Sequence, residues 1–204
     1  MDRTHPLFRD VSRETLEALE HYAASLLKWN RKINLVAKSS VEGIWGRHIA
    51  DSLQVLKYCP ADSTRWIDLG SGAGLPGLIV AIARKGHPEF HVTMIESDER
   101  KSVFISSVIA DLSLNADVIV ERIENVPPLA ADVVSARALA SVSGLLTFAE
   151  RHLSPTGICL FLKGRTADNE LTDARLHWHM DVEKMQSQTD PDGCILRIGQ
   201  ISRA

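Results

Sequence analysis

The chain has 204 residues, of which 45% are hydrophobic and 24% charged, as is typical of a globular protein with one sizeable core. Its formal net charge of -3 argues against a general nucleic-acid coat but not against a local basic face. The beginning of the chain lacks the apolar stretch of a signal peptide, and the longest apolar run, at 78–83, is too short to span a bilayer. We therefore expect a cytoplasmic protein.

The first quarter of the chain predicts an all-helical cap, which we place at residues 1–62. A helix is predicted near 12–29, because apolar residues recur there on one face. A second is predicted from Ser40, as the N-cap, to Tyr58 by the same periodicity. The cap also concentrates cationic residues, at Lys28, Arg31, Lys32, Lys38, Arg47 and His48. This cluster is either a solvated helix end or an RNA-facing patch.

From residue 63 to residue 204, short apolar strands alternate with helical segments, which predicts an α/β domain with a mostly parallel sheet. The predicted strands lie at 65–69, 91–96, 117–121, 132–137 and 157–163, and the predicted helices near 77–85, 98–113, 141–153 and 166–175. Pro76, Ser97 or Asp98, and Ser141 suit the helix N-termini. The tail, at 176–187 and 193–202, contains a turn sequence between two strands, so a hairpin should finish the sheet.

A glycine-rich segment, Asp68-Leu-Gly-Ser-Gly-Ala-Gly-Leu-Pro-Gly77, follows the first strand and opens a helix. In this context a glycine turn lets backbone amides approach a ligand closely. Part of the segment also matches the dinucleotide fingerprint, so a nicotinamide-dependent oxidoreductase is an alternative. The presence of a helical cap before the first strand argues against that alternative.

Two details of the glycine segment favour S-adenosylmethionine. Asp68 stands two residues before the first glycine, where it could attract the cationic amino-acid end of that cofactor. Gly70, Gly72 and Gly74 recur at every second position, which suits a methionine moiety better than a pyrophosphate. We therefore expect a methyltransferase.

Residues at the ends of the next strands are candidate nucleoside contacts. Glu96 could accept hydrogen bonds from both ribose hydroxyls, or it could be a structural acid paired with Arg100 or Lys101. After the third strand, Ile123 could cover an adenine and Glu124 could meet its amino group. Each of these residues could also have an ordinary structural role.

Cations end the fourth and fifth predicted strands. Arg137 and Lys163 are aimed at the edge of the sheet where ligands bind, so we expect functional roles for both. His48 lies on the apolar side of the second cap helix. It is either a functional residue or a core histidine whose hydrogen bonds are made within the protein. Arg47 and Asp51, four residues apart, are equally consistent with an ordinary helix ion pair.

The three cysteines, Cys59, Cys159 and Cys194, are widely separated and lack a C-x-x-C pair. This spacing predicts neither a disulfide framework nor a zinc cluster. We expect reduced, buried thiols and no metal.

Taken in order, five motifs resemble the bacterial small-subunit ribosomal RNA guanine-N7 methyltransferase family, also called RsmG or GidB. The resemblance extends from about residue 15 to the end of the hairpin. The motifs are Trp29-Asn30-x-x-Ile33-Asn34-Leu35, Arg47-His-Ile-x-Asp-Ser-Leu53, the 68–77 segment, Ser135-x-Arg-Ala-x-Ala140 and Leu162-Lys-Gly164.

The resemblance implies a Rossmann-like class I methyltransferase fold, with a mostly parallel seven-stranded sheet, a C-terminal antiparallel hairpin and an N-terminal helical extension. It also implies S-adenosylmethionine as cofactor and, as substrate, a guanine of 16S rRNA near the decoding centre. The motifs carry over cofactor contacts to Gly70, Leu75, Ile123, Glu124 and Arg137. The family commonly has threonine after the Asn-Leu pair, whereas this chain has Val36.

The implied chemistry needs no general base, because guanine N7 carries a lone pair and no proton. Catalysis then consists of positioning, for which Arg137 and Lys163 are the candidates. Trp45 is a candidate for stacking on a base. The candidate RNA contacts are Arg31, Lys32, Asn34, Arg47, His48, Lys163 and Arg165. We expect a monomer that acts on 16S rRNA, the small ribosomal subunit or its precursor; a noncatalytic RNA-binding protein with this fold is the remaining alternative.

Overall fold

The computed structural model describes residues 5–204, so the first four residues of the predicted cap lie outside it. Six α-helices and seven strands are described, together with 3-10 turns at 6–8, 38–40, 54–58 and 123–125 and a π-helical stretch at Ile44–Ala50. The helices are α1 Arg13–Asn30, α2 Asp51–Leu53, α3 Gly77–Ala83, α4 Glu99–Leu112, α5 Val142–His152 and α6 Ala167–Ala174. The strands are β1 Arg65–Leu69, β2 His91–Ile95, β3 Ala116–Ile119, β4 Ala131–Arg137, β5 Leu153–Lys163, β6 Trp178–Gln186 and β7 Cys194–Arg203.

The seven strands form one sheet in the order β3-β2-β1-β4-β5-β7-β6. The first five run parallel, and β7 pairs antiparallel with both β5 and β6. This arrangement confirms the predicted mostly parallel sheet and its C-terminal hairpin. The strand order reverses between β1 and β4, which is where open α/β sheets bind their ligands.

Side-chain caps fix the beginnings of three helices. The Ser12 hydroxyl accepts a hydrogen bond from the N–H of Thr15 before α1, and Ser141 accepts one from Gly144 before α5. The carboxylate of Asp98 accepts from two backbone N–H groups at the start of α4, so Asp98 rather than Ser97 is the cap. These contacts satisfy amides that have no partner within the helix.

The second cap helix was predicted incorrectly. Instead of one helix from Ser40 to Tyr58, the chain forms the π-helical stretch, the single turn α2 and a 3-10 turn. Ser40 does not cap a helix, because its hydroxyl donates to the carbonyl of Ala37 at 2.8 Å. The wider π-helical turns place His48 inward, against the hydroxyl of Ser40.

The other boundaries agree with the predictions except at β5, which begins at Leu153 rather than near 157. The additional residues include Ser154, Pro155 and Thr156, and the register of β4 against β5 shifts between Ala131 and Val133. A proline in a strand normally marks an edge or a bulge, so the sequence there looked like a loop.

Apolar residues cover both faces of the sheet. One hydrophobic cluster joins the cap to α3, α4 and the sheet and includes Tyr22, Trp66 and Phe104. The other packs α5 and α6 on the opposite face and includes Phe161 and Trp178. Cap and sheet therefore share one core, which fixes the cap beside the carboxyl ends of the strands.

Cysteines 159 and 194 are buried and Cys59 is half-buried, and all three thiols are free. Within residues 5–204, no helix is long and apolar enough to cross a membrane. The same part of the chain contains no group of three or more His, Cys, Asp or Glu side chains placed to hold a metal ion.

Candidate active site

The glycine segment forms a tight loop between β1 and α3. Gly70, Gly72 and Gly74 have φ values of 60°, 57° and 77°, in the left-handed region that favours glycine. A Cβ at Gly70 would lie 2.6 Å from a methyl group of Leu139, so a side chain at this position would also require Leu139 to move. The hydroxyl of Tyr22 donates to the carbonyl of Ala73 at 2.8 Å, which ties α1 to the loop.

Asp68 supports the loop from behind. Its carboxylate is fully buried and accepts hydrogen bonds from the hydroxyl of Ser135 at 2.7 Å and the N–H of Gly77 at 3.2 Å. Burial raises its pKa to about 6, against the opposing effect of these hydrogen bonds. The structure thus places Asp68 inside the protein, whereas we expected it to face the amino-acid end of a cofactor.

Glu96 supports the loop from the other side. One carboxylate oxygen accepts from the N–H of Gly72 at 2.7 Å, and the second accepts from the N–H of Asp98 at 2.8 Å. Arg100 pairs with Asp98 instead, at 3.3 Å, and no ion pair joins Glu96 to Lys101 in the described structure. The alternative that Glu96 is a structural ion-pair partner is therefore wrong.

Two adjoining cavities lie on either side of this loop, at the carboxyl ends of the strands. The sheet-side cavity, of about 300 Å³, is lined by residues from β2, α4 and the 121–124 segment. The cap-side cavity, of about 400 Å³, is lined by the 35–37 segment, the π-helical stretch and β4. They share the lining residues Gly70, Gly72, Lys101 and Ala138. A ligand in one cavity therefore borders a ligand in the other.

The predicted cofactor residues divide between these cavities. Gly70, Gly72, Glu96, Ile123 and Glu124 line the sheet-side cavity. Two further predicted contacts, Leu75 and Arg137, line the cap-side cavity together with the same two glycines. Asp68 and Gly74 line neither cavity.

Arg137 reaches from the end of β4 to the cap. One guanidinium nitrogen donates to the carbonyl of Arg47 at 2.8 Å and lies 3.0 Å from Nδ1 of His48. The other terminal nitrogen lies 3.5 Å from a carboxylate oxygen of Asp51. This planar group is thus held by three partners before any ligand arrives.

His48 is a buried histidine, and both of its ring nitrogens have hydrogen-bond partners. This is the structural alternative that the sequence left open. Because arginine has no acceptor, Nδ1 must accept from Arg137, and Nε2 then carries the proton toward the oxygen of Ser40 at 2.8 Å. Burial and the nearby Arg137 lower the pKa of His48 to about 4. Its side chain is neutral at physiological pH, so it is not a cationic RNA contact.

The ammonium group of Lys163 already has two partners within the protein. Its ammonium is 2.6 Å from a carboxylate oxygen of Glu170 and donates to the carbonyl of Ala140 at 2.9 Å. The side chain is only 9% exposed, so the predicted contact with an RNA phosphate is not supported. Arg165 is exposed but paired with Asp192 at 2.6 Å.

Four of the five cap residues predicted to contact RNA are exposed. They are Arg31, Lys32, Asn34 and Arg47. Trp45 is buried and packs edge-to-face on Phe8, with 5.6 Å between the ring centroids, so it cannot stack on a base without unpacking the core.

Asp51 pairs with Arg137 and also accepts a hydrogen bond from the Thr189 hydroxyl at 2.7 Å. No ion pair joins it to Arg47 in the described structure, so the alternative of an ordinary helix ion pair is wrong. The carboxylate of this cap residue instead contacts both the end of β4 and the turn that precedes β7.

Asn30 has a structural part in the first motif. Its carbonyl oxygen accepts from the N–H groups of Leu35 and Val36, at 2.8 and 3.0 Å, and so holds this segment against the cap-side cavity. Val36 itself lines that cavity and gives it an apolar surface at this position.

Lys101 was suggested by the sequence only as a partner of Glu96, yet it lines both cavities. Its position, in the first turns of the helix after Glu96, was the available signal. Leu139 and Phe148, which also line the sheet-side cavity, gave none, because apolar residues there look like ordinary core.

A family model described as GidB, rRNA small subunit methyltransferase G, matches residues 15–192. The protein named Ribosomal RNA small subunit methyltransferase G from Rhodospirillum centenum is 51% identical over 192 residues, covering 94% of this chain and 87% of its own length. Its namesake from Cereibacter sphaeroides is 47% identical over 190 residues, covering 93% and 92%. The crystal structure of a SAM dependent methyltransferase from Aquifex aeolicus matches with a TM-score of 0.58 at 14% identity, covering 87% and 97% of the two chains, and shows the shared fold.

Proposed function

The chain belongs to the GidB family of rRNA small subunit methyltransferase G proteins, and we propose that it transfers a methyl group from S-adenosylmethionine to guanine N7 in 16S rRNA. The proposed guanine lies in the loop beside the decoding centre. The observation that carries the proposal is the pair of cavities that meet at Gly70 and Gly72. A donor in one cavity and a base in the other would meet at the loop.

The sheet-side cavity fits the nucleoside end of the donor. Ile123 and Leu139 provide apolar surface for an adenine, and Glu124 borders the same space. Each Glu96 oxygen accepts one backbone hydrogen bond, which leaves lone pairs for the two ribose hydroxyls. Because Gly70 and Gly72 have no side chains, the methionine end can pass the loop toward the cap-side cavity.

The cap-side cavity fits the guanine. It is bordered by Leu35 and Val36 and by two arginines, Arg47 and Arg137. A guanine presents N7 and O6 as acceptors on one edge, and a guanidinium that donates to O6 orients this edge while leaving the lone pair of N7 free for the methyl group. Arg137 is already fixed by the cap, so its direction is set before RNA binds.

The bound donor supplies an electrophilic methyl group, and N7 supplies the electron pair without losing a proton. The protein therefore needs to align the two ligands, and such positioning contributes up to about 7 to 11 kcal/mol to a barrier. Neutral His48 adds no positive charge beside a base that becomes cationic. Arg137 acts by orientation, and Lys163 supports the 140 region through its contact with Ala140.

The family assignment favours this reaction over a nicotinamide-dependent oxidoreductase, which the glycine pattern alone left open. We further propose that the 1–62 segment forms a substrate-side cap on the 63–204 catalytic domain. In this proposal a cytoplasmic monomer acts on the small ribosomal subunit or its precursor. Arg31, Lys32, Asn34 and Arg47 are its exposed candidate RNA contacts.

Methyl transfer in vitro tests the proposal. Purified protein is incubated with methyl-labelled S-adenosylmethionine and small subunits from a strain lacking the protein, and the digested rRNA is separated into nucleosides. We expect label in 7-methylguanosine at a single position. Label in another nucleoside, or no label with either subunits or protein-free 16S rRNA, would contradict it.

A further inference from the structure

Lys101 stands where the two cavities join. Of residues 5–204, it is the only cation that lines both of them, and its side chain is half-buried. Among the described residues, no hydrogen bond or ion pair is recorded for its ammonium group. A partly buried ammonium without a protein partner is a candidate for binding an anion.

Four other cations near the site already have partners. Arg137 is paired with Asp51, Lys163 with Glu170, Arg165 with Asp192 and Arg100 with Asp98. Their charges are therefore partly neutralised within the protein. Lys101 and the exposed Arg47 are the cations of the cap-side cavity with no ion pair in the part of the chain described.

The surroundings of Lys101 are acidic. Glu96, Glu121 and Glu124 line the sheet-side cavity with it, and Arg122 is the only other cation among the described residues that line it. Because RNA carries one negative charge per nucleotide, these carboxylates oppose its approach. A cation at the junction offsets that repulsion where the base has to enter.

We propose that Lys101 binds a backbone phosphate of the RNA strand that presents the target guanine. This inference rests on the proposed function and adds a substrate contact to it. A base that enters the cap-side cavity brings its own phosphates to the rim, and Lys101 is half-exposed as a rim residue should be. Arg47 lines the same cavity from the π-helical stretch, so the strand would pass between a cap cation and an α4 cation.

The competing anion is the carboxylate of the donor. RNA is favoured because the ammonium is shared with the cap-side cavity, which holds the substrate in the proposal. A phosphate also has a full charge that must be neutralised at the entrance, whereas the donor brings its own cationic groups. Binding to a phosphate would affect the salt dependence of subunit binding, whereas binding to the carboxylate would affect the affinity for S-adenosylmethionine.

The experiment compares Lys101→Ala and Lys101→Arg with Arg100→Ala. Arg100 is the matched control, because it carries the same charge on the same turn of α4 but lines neither cavity. Binding to small ribosomal subunits from a strain lacking the protein is measured at several potassium chloride concentrations and constant magnesium. Binding of S-adenosylmethionine is measured separately by calorimetry.

We expect Lys101→Ala to weaken subunit binding and to reduce the slope of log affinity against log salt by about 0.7, the value for one phosphate contact on a single strand. Lys101→Arg should restore the slope, Arg100→Ala should keep it, and S-adenosylmethionine affinity should stay within about twofold in all three.

Three results would overturn the inference: an unchanged slope in Lys101→Ala, an equal change in Arg100→Ala, or a loss of donor affinity alone, which would assign Lys101 to the carboxylate. The slope is a binding measurement. It therefore remains readable even if the wild-type protein methylates a different nucleoside and the proposed function fails.

Discussion

The carboxylate of Glu96 accepts a hydrogen bond from the backbone N–H of Gly72 at 2.7 Å, so the end of β2 fixes the glycine loop that follows β1. The second oxygen of Glu96 accepts from the N–H of Asp98 at the start of α4. One buried side chain thereby sets the distance between loop and helix. The space left between them is the sheet-side cavity.

Glu96→Ala should weaken S-adenosylmethionine binding by at least on the order of tenfold, because both charge-assisted hydrogen bonds and the proposed ribose contacts are lost. Calorimetry measures the affinity directly. Glu99→Ala is the control, because Glu99 is an exposed acid three residues away. Unchanged affinity in a folded Glu96→Ala protein would remove Glu96 from the donor site.

Arg137→Ala should reduce methyl transfer on the order of 100-fold, a loss typical of a small misplacement of the reacting groups. Arg137→Lys should rescue poorly, because an ammonium cannot reproduce the planar contacts with Arg47, His48 and Asp51. Steady-state kinetics with subunits measures both variants, and circular dichroism checks folding. Arg197→Ala, which removes a cation paired with Glu183 on the hairpin, is the control. Near-normal activity in a folded Arg137→Ala variant would falsify its role.

Asp68 predicts a specific pH dependence of stability. Its pKa is raised from 3.8 to about 6 in the folded protein, so the folded state holds this proton more tightly than the unfolded state. The resulting stabilisation is fully present below about pH 4 and is lost as the pH rises to about 6. Asp68→Asn cannot titrate there. The unfolding free energy of wild type minus that of Asp68→Asn should therefore fall by up to about 3 kcal/mol over this range.

Urea unfolding at half-unit pH intervals measures this difference. The sign separates the two physical causes at Asp68, since a carboxylate governed by its hydrogen bonds to Ser135 and Gly77 would have a lowered pKa. In that case the difference between wild type and variant would rise with pH. A rising or flat difference contradicts dominance by burial.

Lys163 should prove structural. Lys163→Ala leaves Glu170 without its ion-pair partner and should lower the unfolding free energy by about 3 kcal/mol, at the low end for a buried pair. The loss is limited because Glu170 still accepts from the hydroxyl of Thr166 at 2.7 Å and the N–H of Val142 at 3.0 Å. Denaturant unfolding measures the change.

The double variant Lys163→Ala with Glu170→Ala should lose less than the sum of the two single changes, because neither charge is left unpaired. The salt dependence of subunit binding should be the same in Lys163→Ala as in wild type. A reduced slope, with stability unchanged, would instead place Lys163 on the RNA.

The elements that were predicted well are those whose signals are local. Caps such as Asp98 and Ser141 and the turn before β7 depend on a few neighbouring residues, and the structure has them where they were expected. The helix at 40–58 failed because apolar periodicity does not distinguish a continuous α-helix from π and 3-10 turns. The inward turn of His48 depends on Arg137, which is 89 residues away.

Contacts between residues that are distant in sequence also limit prediction of the site. The glycine loop and the strand-end positions follow from chain order, but sequence does not show which cation is neutralised by the fold. Lys163 and Arg137 look equivalent as strand-end cations, and both form ion pairs in the structure. Arg137, although paired with Asp51, lines the cap-side cavity, whereas Lys163, paired with Glu170, does not. Lys101 looked like an ion-pair partner of Glu96, and its freedom depends on backbone amides occupying that carboxylate.

Mass spectrometry of 16S rRNA from cells that lack this protein shows directly whether guanine N7 is its target. We expect the loss of one 7-methylguanosine near the decoding centre, with restoration by the wild-type gene and not by the Arg137→Ala gene. An unchanged complement of 7-methylguanosine in the deleted strain would contradict the claim that this chain methylates guanine N7.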